Sequence, residues 1–342
     1  MQPVWAAKDK KDAKSKAAQE MTTSQGSTLE AVKKNGHVKC GVSKGLAGFS
    51  NPDAKNNWSG LDVDFCRALA AAIFNDPSKV TFTPTSAKER FTALQSGEVD
   101  LLSRNTTWTI SRDTSLGFDF VGVLYYDGQG FMVNNKLKVK SAKELNGATV
   151  CVQTGTTTEL NLADYFKSNG MKYKLVAFEN DDEVVKAYDA GRCDVLTTDQ
   201  SGLYAVRTKL KKPEDHVVLP DVIAKEPLGP LVRHGDHGWA DLARWTFNAL
   251  VEAEELGITQ GNVDMMKKSA KSPLVRRFLG LDDNLGGKLG LSKEWAYQVV
   301  KHLGNYGELF EKNLGAKTPL KMARGLNALW TDGGMQYALP MR

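Results

Sequence analysis

Residues 100–112 read D-L-L-S-R-N-T-T-W-T-I-S-R, and the rest of the chain is organised around this stretch. A short apolar strand, predicted over residues 99–102, runs directly into hydroxyls, an amide and two guanidinium groups. An apolar strand that ends in polar groups is typical of the carboxyl edge of an α/β sheet, where small ligands bind. Arg112 offers a planar fork that fits a carboxylate, and Asn105 and Thr107 offer short donors and acceptors. The stretch predicts a ligand site, although a surface turn with satisfied hydroxyls would read the same way.

The pattern of this stretch occurs twice in the chain. Residues 89–105 read E-R-F-T-A-L-Q-S-G-E-V-D-L-L-S-R-N, and residues 183–199 read E-V-V-K-A-Y-D-A-G-R-C-D-V-L-T-T-D. In both, a helix pattern ends at a glycine, an aspartate follows three residues later, and an apolar pair begins a strand. A polar residue, Asn105 or Asp199, stands eight positions after the glycine. Because strands and helices also alternate around it, the repeat predicts two similar α/β lobes with largely parallel sheets and a small-molecule cleft between them.

The second half of the chain carries another pattern that suits an anion. A predicted strand, residues 149–154, is followed by G-T-T-T-E-L at residues 155–160, which opens a helix. Free N–H groups at a helix start, together with the hydroxyls of Thr156 and Thr157, attract a carboxylate, although ordinary N-capping explains the same residues. Asp199 taken alone is more often a cap than a ligand group. Beside Arg112 it would supply the counter-charge for an ammonium group.

The two lobes are predicted to be joined twice. The first crossing lies at residues 125–131 and the second at residues 222–229, where glycine and proline suit a hinge. The chain is then predicted to return to the first lobe. The resulting division is a flexible leader, lobe 1, lobe 2 and a C-terminal extension: residues 1–27, 28–127 with 228–260, 128–227 and 261–342.

The C-terminal extension shows one clear helix pattern. It starts at Ser292 and places Trp295, Val299, Leu303 and Phe310 at helical spacing. An apolar stripe of this kind is more often a packing surface than a partner surface. We therefore expect the extension to pack on the lobes.

Composition indicates an ordinary globular protein. The chain has 342 residues, of which 41% are hydrophobic and 25% charged, so it is long enough for two lobes. The net charge of +5 is densest at residues 8–16, and no basic block interleaved with aromatics occurs in the body, which argues against nucleic-acid binding. No apolar run predicts a membrane span. The N-terminus lacks the apolar segment of a signal peptide, so we expect either a cytoplasmic protein or a form without its signal.

The four cysteines help to choose between these locations. Cys40 lies in a predicted strand and Cys66 in a predicted helix, and Cys151 and Cys193 occupy similar strand and pre-strand positions in the second half. No C-x-x-C pair is present and the five histidines are scattered, so we predict no metal site. We expect the disulfides Cys40–Cys66 and Cys151–Cys193, one in each lobe, and hence an oxidising compartment. The alternative is four buried free thiols.

Read as a whole, the sequence resembles the polar amino-acid-binding family of solute-binding proteins that serve ABC transporters, and it looks closest to the general L-amino-acid-binding subgroup. The resemblance runs from Ser27 to the C-terminus and rests on these segments: G-L-D-V-D-F-C-R-A, E-R-F-T-A-L-Q-S-G-E-V-D-L-L-S-R-N-T-T-W-T-I-S-R-D, C-V-Q-T-G-T-T-T-E-L-N-L-A-D-Y-F, G-R-C-D-V-L-T-T-D and G-L-N-A-L-W-T-D-G-G. It implies an α/β, two-lobed periplasmic-binding-protein fold (type II) with two hinge crossings, here followed by a C-terminal helical extension. Such a monomer, without a cofactor, closes on an L-amino acid in the periplasm and presents it to the permease.

The resemblance also implies roles for individual residues. Arg112 should hold the α-carboxylate of the ligand. The backbone and hydroxyls of Asn105, Thr107 and Thr157 should help it. Asp199 should accept the α-ammonium group, so that both charges of the amino acid are paired.

Three further residues bear on the choice of ligand. Ser43 stands where relatives specific for basic ligands have a carboxylate, which argues against strict selectivity for basic amino acids. Arg90 matches an arginine of relatives that bind aspartate and glutamate. Arg104 either assists binding or is an ion-paired scaffold residue. We expect broad acceptance of polar, acidic and amide amino acids.

Two other classes of function are alternatives. An enzyme on the same scaffold, such as a dehydratase, needs an acid or base aimed at its substrate. The sequence shows no Ser–His or Cys–His pairing and no carboxylate pair at the strand ends beyond Asp199, so we expect no enzymatic activity. A sensor module whose closure signals to a receptor is the second alternative, and it would need a separate partner.

Overall fold

The computed structural model describes residues 27–342, so the predicted flexible leader, residues 1–27, lies outside the described residues except for Ser27. The strands are β1 (Val38–Ser43), β2 (Asn51–Pro52), β3 (Trp58–Ser59), β4 (Val80–Thr85), β5 (Leu101–Leu102), β6 (Phe118–Phe120), β7 (Tyr125–Asn134), β8 (Thr149–Gln153), β9 (Lys174–Phe178), β10 (Val195–Asp199), β11 (His216–Val218), β12 (Ala224–Leu228) and β13 (Leu231–Arg233). The helices are α1 (Thr28–Asn35), α2 (Leu61–Phe74), α3 (Glu89–Gln95), α4 (Thr157–Ser168), α5 (Asp181–Asp189), α6 (Gln200–Arg207), α7 (His237–Glu255), α8 (Val263–Ser269), α9 (Pro273–Phe278), α10 (Leu285–Lys288), α11 (Trp295–Leu303) and α12 (Tyr306–Asn313).

The first sheet has the strand order β4–β1–β5–β13–β6. Strand β1 runs parallel to β4 and β5, whereas β13 runs antiparallel to β5 and β6. Strand β5 covers Leu101–Leu102 rather than the predicted residues 99–102. The reason is that the Asp100 side chain, rather than a main-chain carbonyl, accepts the N–H of Lys39 at 2.9 Å.

The second sheet has the order β11–β7–β10–β8–β9, with β12 also paired to β7. Strand β8 runs parallel to β9 and β10, and β7 runs antiparallel to β10, β11 and β12. In both sheets the strands joined by helices are parallel, as a β-α-β crossover requires. The prediction of largely parallel sheets is correct for the strands joined by helices. It is wrong for β7, β12 and β13, where the chain passes between the lobes and the strands run antiparallel to their neighbours.

The repeat predicted from the sequence is present in the structure. In each copy the helix is followed by a glycine of positive φ, and the aspartate three residues later accepts an N–H from the neighbouring parallel strand. These bonds join Asp100 to Lys39 at 2.9 Å and Asp194 to Thr149 at 2.8 Å. Because each bond fixes the start of the next strand, the polar residue eight positions after each glycine emerges at the carboxyl end of its sheet.

Both predicted disulfides are confirmed. Cys40 on β1 is bonded to Cys66 on α2, with their Cα atoms 6.3 Å apart. Cys151 on β8 is bonded to Cys193, just before β10, with their Cα atoms 5.7 Å apart. The alternative of four free thiols is therefore wrong. Each bond ties a strand to a neighbouring segment of the same half of the molecule, which restricts the unfolded chain.

The two crossings between the lobes form one ribbon. Strands β7 and β12 pair antiparallel, with Tyr125 opposite Leu228 at one end and Gln129 opposite Ala224 at the other. This ribbon coincides with the two crossings predicted from the sequence. The division of residues between the two lobes stays a prediction.

The C-terminal extension contains several helices rather than one clear helix. The helix predicted from Ser292 is two helices, α11 and α12, because Gly304 with a φ of 85° ends the first. Asn305 then caps the second through a reciprocal capping box with Glu308. Phe310 belongs to the second helix, so the prediction of a single helix is wrong.

The apolar stripe of the extension packs into the core as predicted. Trp295, Val299 and Phe310 are buried in the same cluster as the apolar faces of α2 and α7, and Leu303 is partly buried against it. The extension is thus part of the core of the first lobe. It is not an appendage on the surface.

The extension also binds the main chain of the first crossing. The Tyr306 hydroxyl and the Gln336 amide donate to the carbonyls of the two residues that precede β7, at 2.8 and 3.1 Å. Asn327 accepts the N–H of Tyr126 at 2.7 Å and donates to its carbonyl at 3.1 Å. Side chains of the extension therefore satisfy main-chain groups that no neighbouring strand reaches.

Candidate functional site

The loop after β5 carries Asn105, Thr107 and Arg112, and Asp62 holds it in shape. The Asp62 carboxylate, at the start of α2, accepts the Asn105 N–H at 2.9 Å and the Ser103 hydroxyl at 3.1 Å. Asn105 adopts a φ of 31°, a region that asparagine tolerates better than most residues. Burial raises the pKa of Asp62 to about 6. Asp62 therefore positions the loop.

Arg112 and Arg90 both stack over the ring of Phe91. Their guanidinium carbons lie 5.3 and 4.7 Å from the ring centre. Arg112 donates to the Thr107 carbonyl at 2.8 Å, and Arg90 donates to the Thr106 hydroxyl at 3.2 Å. Burial lowers the pKa of both arginines, but a guanidinium stays charged in proteins. The pair forms a buried positive centre whose hydrogen-bonding capacity is only partly used.

Glu226 on β12 is a carboxylate of this site that the sequence reading missed. Its side chain is fully buried, and it accepts hydrogen bonds from the hydroxyls of Thr107 and Thr157, the latter at 2.9 Å. Its other oxygen accepts from the side-chain amide of Asn161 at 2.9 Å. Thr107 belongs to the first lobe and the other two residues to α4, so Glu226 links the two lobes at the hinge.

Asp199 lies at the end of β10 and at the cap position of α6, yet its side chain makes no capping bond. Burial raises the pKa of Asp199 well above its ordinary value, and the negative charges of Asp127 and Glu226 raise it further. The positive charges of Arg90 and Arg112 lower it. The charges of Asp199 and Arg112 therefore act on each other. A buried carboxylate without a capping bond is well suited to an ammonium group.

A cavity of about 160 Å³ lies between the two lobes. Three of the predicted site residues, Arg104, Asn105 and Asp199, line it. Lys44 and Asp181 also line it, so the wall carries positive charge from the first lobe and negative charge from the second. The remaining predicted residues are not on this wall: Arg90, Arg112, Thr107 and Thr157 are grouped beside Glu226, and Thr156 caps α4.

Arg104 faces the opposite lobe across the cavity. It donates to the Thr85 carbonyl at 3.2 Å and to the Asn105 side chain at 3.4 Å. Burial lowers the pKa of Arg104 to about 10, while the negative charges of Asp181 and Asp62 oppose that shift. Burial likewise raises the pKa of Asp181, at the start of α5. Whether Arg104 contacts ligand or only balances these acids stays a prediction.

The first turn of α4 has both capped and free main-chain groups. The Thr156 hydroxyl accepts the Glu159 N–H at 3.3 Å and donates to the Gln153 carbonyl at 2.7 Å, which is ordinary helix capping. The N–H groups of Thr157 and Thr158 have no partner among the described residues. These two groups are therefore available to an anion.

The lobes contact each other around the site. The hydroxyls of Thr107 and Thr157 lie 3.3 Å apart, and the ammonium group of Lys209 donates to the Gly45 carbonyl at 2.7 Å. These bonds join residues from opposite lobes. Hydrogen bonds between the lobes therefore flank the site in this structure.

Two features are absent from residues 27–342. No three His, Cys, Asp or Glu side chains of that part are grouped so as to hold a metal ion. In the same residues, no helix combines the length and the apolar character needed to cross a membrane.

Two α/β lobes that are joined by a two-stranded ribbon and enclose a charged cavity define a solute-binding protein of the type II periplasmic-binding-protein fold. The chain belongs to the bacterial extracellular solute-binding proteins, family 3, whose family model matches residues 38–260. The resemblance read from the sequence motifs is thereby confirmed. The C-terminal extension follows the matched segment.

The comparisons also find relatives that match the chain over most of its length. The general L-amino acid-binding periplasmic protein AapJ of Rhizobium johnstonii is 64% identical over 317 residues, which are 92% of this chain and 93% of AapJ. The glutamate/glutamine/aspartate/asparagine-binding protein BztA of Rhodobacter capsulatus is 55% identical over 316 residues, 92% of this chain and 94% of BztA. An ABC transporter periplasmic binding protein of Brucella ovis, solved with glutathione bound, is 60% identical with a TM-score of 0.91 and covers 93% of this chain and 100% of its own. These matches include the extension.

Four acidic residues of the site escaped the sequence reading: Asp62, Asp127, Asp181 and Glu226. Asp127 accepts the Gly128 N–H at 2.8 Å, and burial raises the pKa of Asp127 to about 6. The available clue for Asp181 was its place after a strand at the start of a helix. For Glu226 the clue was a lone acid in the predicted hinge segment V-I-A-K-E-P-L-G.

Proposed function

We propose that the protein binds an L-amino acid in the cavity between its lobes and presents it to the permease of an ABC transporter. The observation that carries the proposal is opposite charge across the cavity: Lys44 and Arg104 line it from the first lobe, and Asp181 and Asp199 line it from the second. Arg112 lies beside this cavity, in the group around Glu226. The Asp199 carboxylate is buried without a capping bond, and the Arg112 guanidinium has hydrogen-bonding capacity to spare. The printed names of AapJ and BztA, which describe amino-acid-binding proteins, support the same function.

The mechanism follows from the charges of a free amino acid. An amino acid is a zwitterion, and burying it requires partners for both charges, because an unpaired buried charge is costly. The first lobe offers the Arg112 guanidinium, and the second offers Asp199 and the N–H groups that open α4. Both charges are paired only when the lobes close, so binding shifts the open–closed equilibrium. A micromolar ligand corresponds to about 8 kcal/mol, of which each charge-assisted bond supplies roughly 1.5–3 kcal/mol.

The cavity wall favours polar side chains on the ligand. Lys44 and Arg104 contribute positive charge to this wall. Asp181, Asp182 and Asp199 contribute negative charge, and Ser43 and Asn105 add neutral hydrogen-bonding groups. Such a wall can hold a carboxylate or an amide without leaving it unpaired. We therefore propose acidic and amide amino acids as the preferred class.

A thermal-shift screen against the twenty amino acids tests the proposed function. Acidic and amide L-amino acids should raise the melting temperature, because a ligand that binds only the folded state stabilises it. N-acetyl-L-glutamate should not, since acetylation removes the ammonium group that Asp199 accepts. Equal stabilisation by glutamate and its N-acetyl derivative would show that Asp199 does not have this role.

A second ligand class is favoured by one observation. The Brucella ovis relative was solved with glutathione bound, and glutathione carries a free α-ammonium and α-carboxylate on its γ-glutamyl residue. The same two groups of this site would hold that end, and the charged wall at Lys44 and Asp181 would face the rest of the peptide. Glutathione should then compete with glutamate in calorimetry. Independent binding of both ligands would argue against a shared site.

The proposed function also implies a cellular location, the absence of catalysis and an oligomeric state. We assign the protein to the periplasm, where its two disulfides are stable. We assign it no enzymatic activity, so a bound ligand should be recovered chemically unchanged after prolonged incubation. We also propose a monomer, which light scattering would test directly.

Ligand affinity should fall as the pH is lowered through the raised pKa of Asp199. Burial raises the pKa of Asp199 in the unliganded protein, and a bound ammonium group would lower it. Below its free-state pKa, Asp199 must therefore lose a proton before it can bind, so the dissociation constant rises as the pH falls. Calorimetry in two buffers of different ionisation enthalpy counts the released protons.

The variant Asp127→Asn separates the contribution of the neighbouring acid to this pH dependence. Asp127, Glu226, Arg90 and Arg112 are among the charged groups that act on Asp199, as is Arg104. Removing the Asp127 charge should lower the pKa of Asp199 and move the loss of affinity to lower pH. An affinity that does not change with pH in the wild-type protein would contradict the role of Asp199.

A further inference from the structure

Glu226 occupies the hinge, and within residues 27–342 it forms no ion pair with a lysine, arginine or histidine. Its side chain is 0% exposed, and its hydrogen-bond donors are two hydroxyls and one amide. A buried carboxylate is tolerated only when it is hydrogen-bonded, so these three neutral donors are needed to keep Glu226 in place. One donor, Thr107, lies in the loop of Arg112, and the other two lie on α4. Glu226 thereby fixes that loop against the start of α4.

These bonds also decide what the two threonines can offer a ligand. A threonine hydroxyl has one proton to donate. Thr107 and Thr157 both give that proton to Glu226. Neither hydroxyl can then donate to a ligand carboxylate, contrary to the role that the family resemblance implies for them. The groups left for the carboxylate are the Arg112 guanidinium and the N–H groups of Thr157 and Thr158.

The charge of Glu226 acts on the same end of the site. Among the charges that act on Arg112, that of Glu226 has the largest effect and that of Asp199 the next largest, and both favour the charged guanidinium. Glu226 also favours the charged form of Arg90. A fixed negative charge near two guanidiniums lowers the positive potential that an incoming ligand meets.

We infer that Glu226 is a positioning and specificity-determining residue of this site. It commits the Thr107 and Thr157 hydroxyls to the protein, and it sets the net positive charge that the ligand meets. The inference rests on the proposed amino-acid binding. Glu226 would then influence whether the site prefers an acidic amino acid or its neutral amide, without contacting the ligand.

The variant Glu226→Gln tests the inference because it keeps the shape of the side chain and removes its charge. Calorimetry would measure the dissociation constants of L-glutamate and L-glutamine, or of L-aspartate and L-asparagine if the wild-type protein binds that pair instead. The ratio of the two affinities should shift toward the acidic ligand by at least about tenfold, because the site gains one unit of positive charge. A purely structural role would weaken both ligands alike.

The variant Asn161→Ala tests the positioning part of the inference separately, because it removes a donor of Glu226 and keeps the Glu226 charge. Asn161 donates to Glu226 and has no proposed contact with ligand. Its removal should weaken both ligands by about three- to tenfold and leave their ratio unchanged, since Glu226 loses one of its donors. The matched control is Asn169→Ala, because Asn169 donates only to the Tyr165 carbonyl near the end of the same helix. The control should bind as the wild type does.

The outcomes separate this inference from the proposed function. If the wild-type protein binds no amino acid, the proposed function fails and the inference falls with it. If the wild-type protein binds but Glu226→Gln keeps the affinity ratio within about twofold, the function stands and the inference fails. An Asn161→Ala variant indistinguishable from Asn169→Ala would overturn the inference in the same way.

Discussion

The Arg112→Ala variant should bind its amino acid about 30-fold more weakly or worse, a loss of about 2–5 kcal/mol. The Arg112 guanidinium has hydrogen-bonding capacity left, since it donates to the Thr107 carbonyl alone among the described residues. Without it, the ligand carboxylate would be buried with main-chain N–H groups as its remaining partners. Isothermal titration calorimetry with the best ligand from the amino-acid screen gives the dissociation constant directly.

The matched control for this variant is Arg244→Ala. Arg244 pairs with Asp241 one turn away on α7, outside the cavity wall, and is half-buried. The control should leave affinity unchanged, and unfolding curves should show that both variants are folded. Near-native affinity in Arg112→Ala would remove this residue from the site. The carboxylate would then have to be assigned to another cation such as Arg104.

The Phe310→Ala variant should lower the free energy of unfolding by about 3–5 kcal/mol. Phe310 is fully buried, and its ring stacks on Tyr125 with 6.2 Å between the ring centres. The guanidinium carbon of Arg324 lies 5.1 Å from the centre of the Phe310 ring. Truncation leaves a cavity in the core shared by the extension and the first lobe. Denaturant unfolding with the disulfides intact measures the loss.

Leu326→Ala is the control for this substitution within the same extension. Leu326 is 55% exposed, so its truncation should change stability by no more than about 0.5 kcal/mol. A Phe310→Ala variant as stable as the control would mean that the extension is a separate appendage. The large expected difference follows from burial alone and requires no assumption about the ligand.

The parts of the fold that were predictable have local causes. Periodic apolar residues and the glycines after the helices marked the two copies of the repeat. The disulfides Cys40–Cys66 and Cys151–Cys193 were predicted because each would join two segments of one lobe. The split of the last predicted helix was missed, although Gly304 stood inside the stripe as a visible breaker. The apolar spacing continues across Gly304, because α11 and α12 bury the same side of the extension.

The site was predictable only where strand ends determine it. Asn105 and Asp199 emerge from equivalent strands, so counting from the glycine was enough to find them. Glu226 has partners that lie 119, 69 and 65 residues away in the chain, and no local pattern encodes such distances. The carboxylate that organises the threonines was therefore visible only in three dimensions. The ligand contacts of all eight predicted site residues stay predictions.

The bonds between the extension and the first crossing have a practical consequence for anyone who exchanges parts among these proteins. Main-chain carbonyls at the first crossing accept hydrogen bonds from Tyr306, Asn327 and Gln336. These three residues lie about two hundred positions further along the chain than the carbonyls they bind. A chimera could take only residues 38–260 from a donor that lacks this extension. The first crossing would then come from the donor, while the side chains that bind its main chain would come from this protein. The unit to transfer when building a biosensor is therefore the whole of residues 27–342, so that the crossing and the extension that binds it stay together.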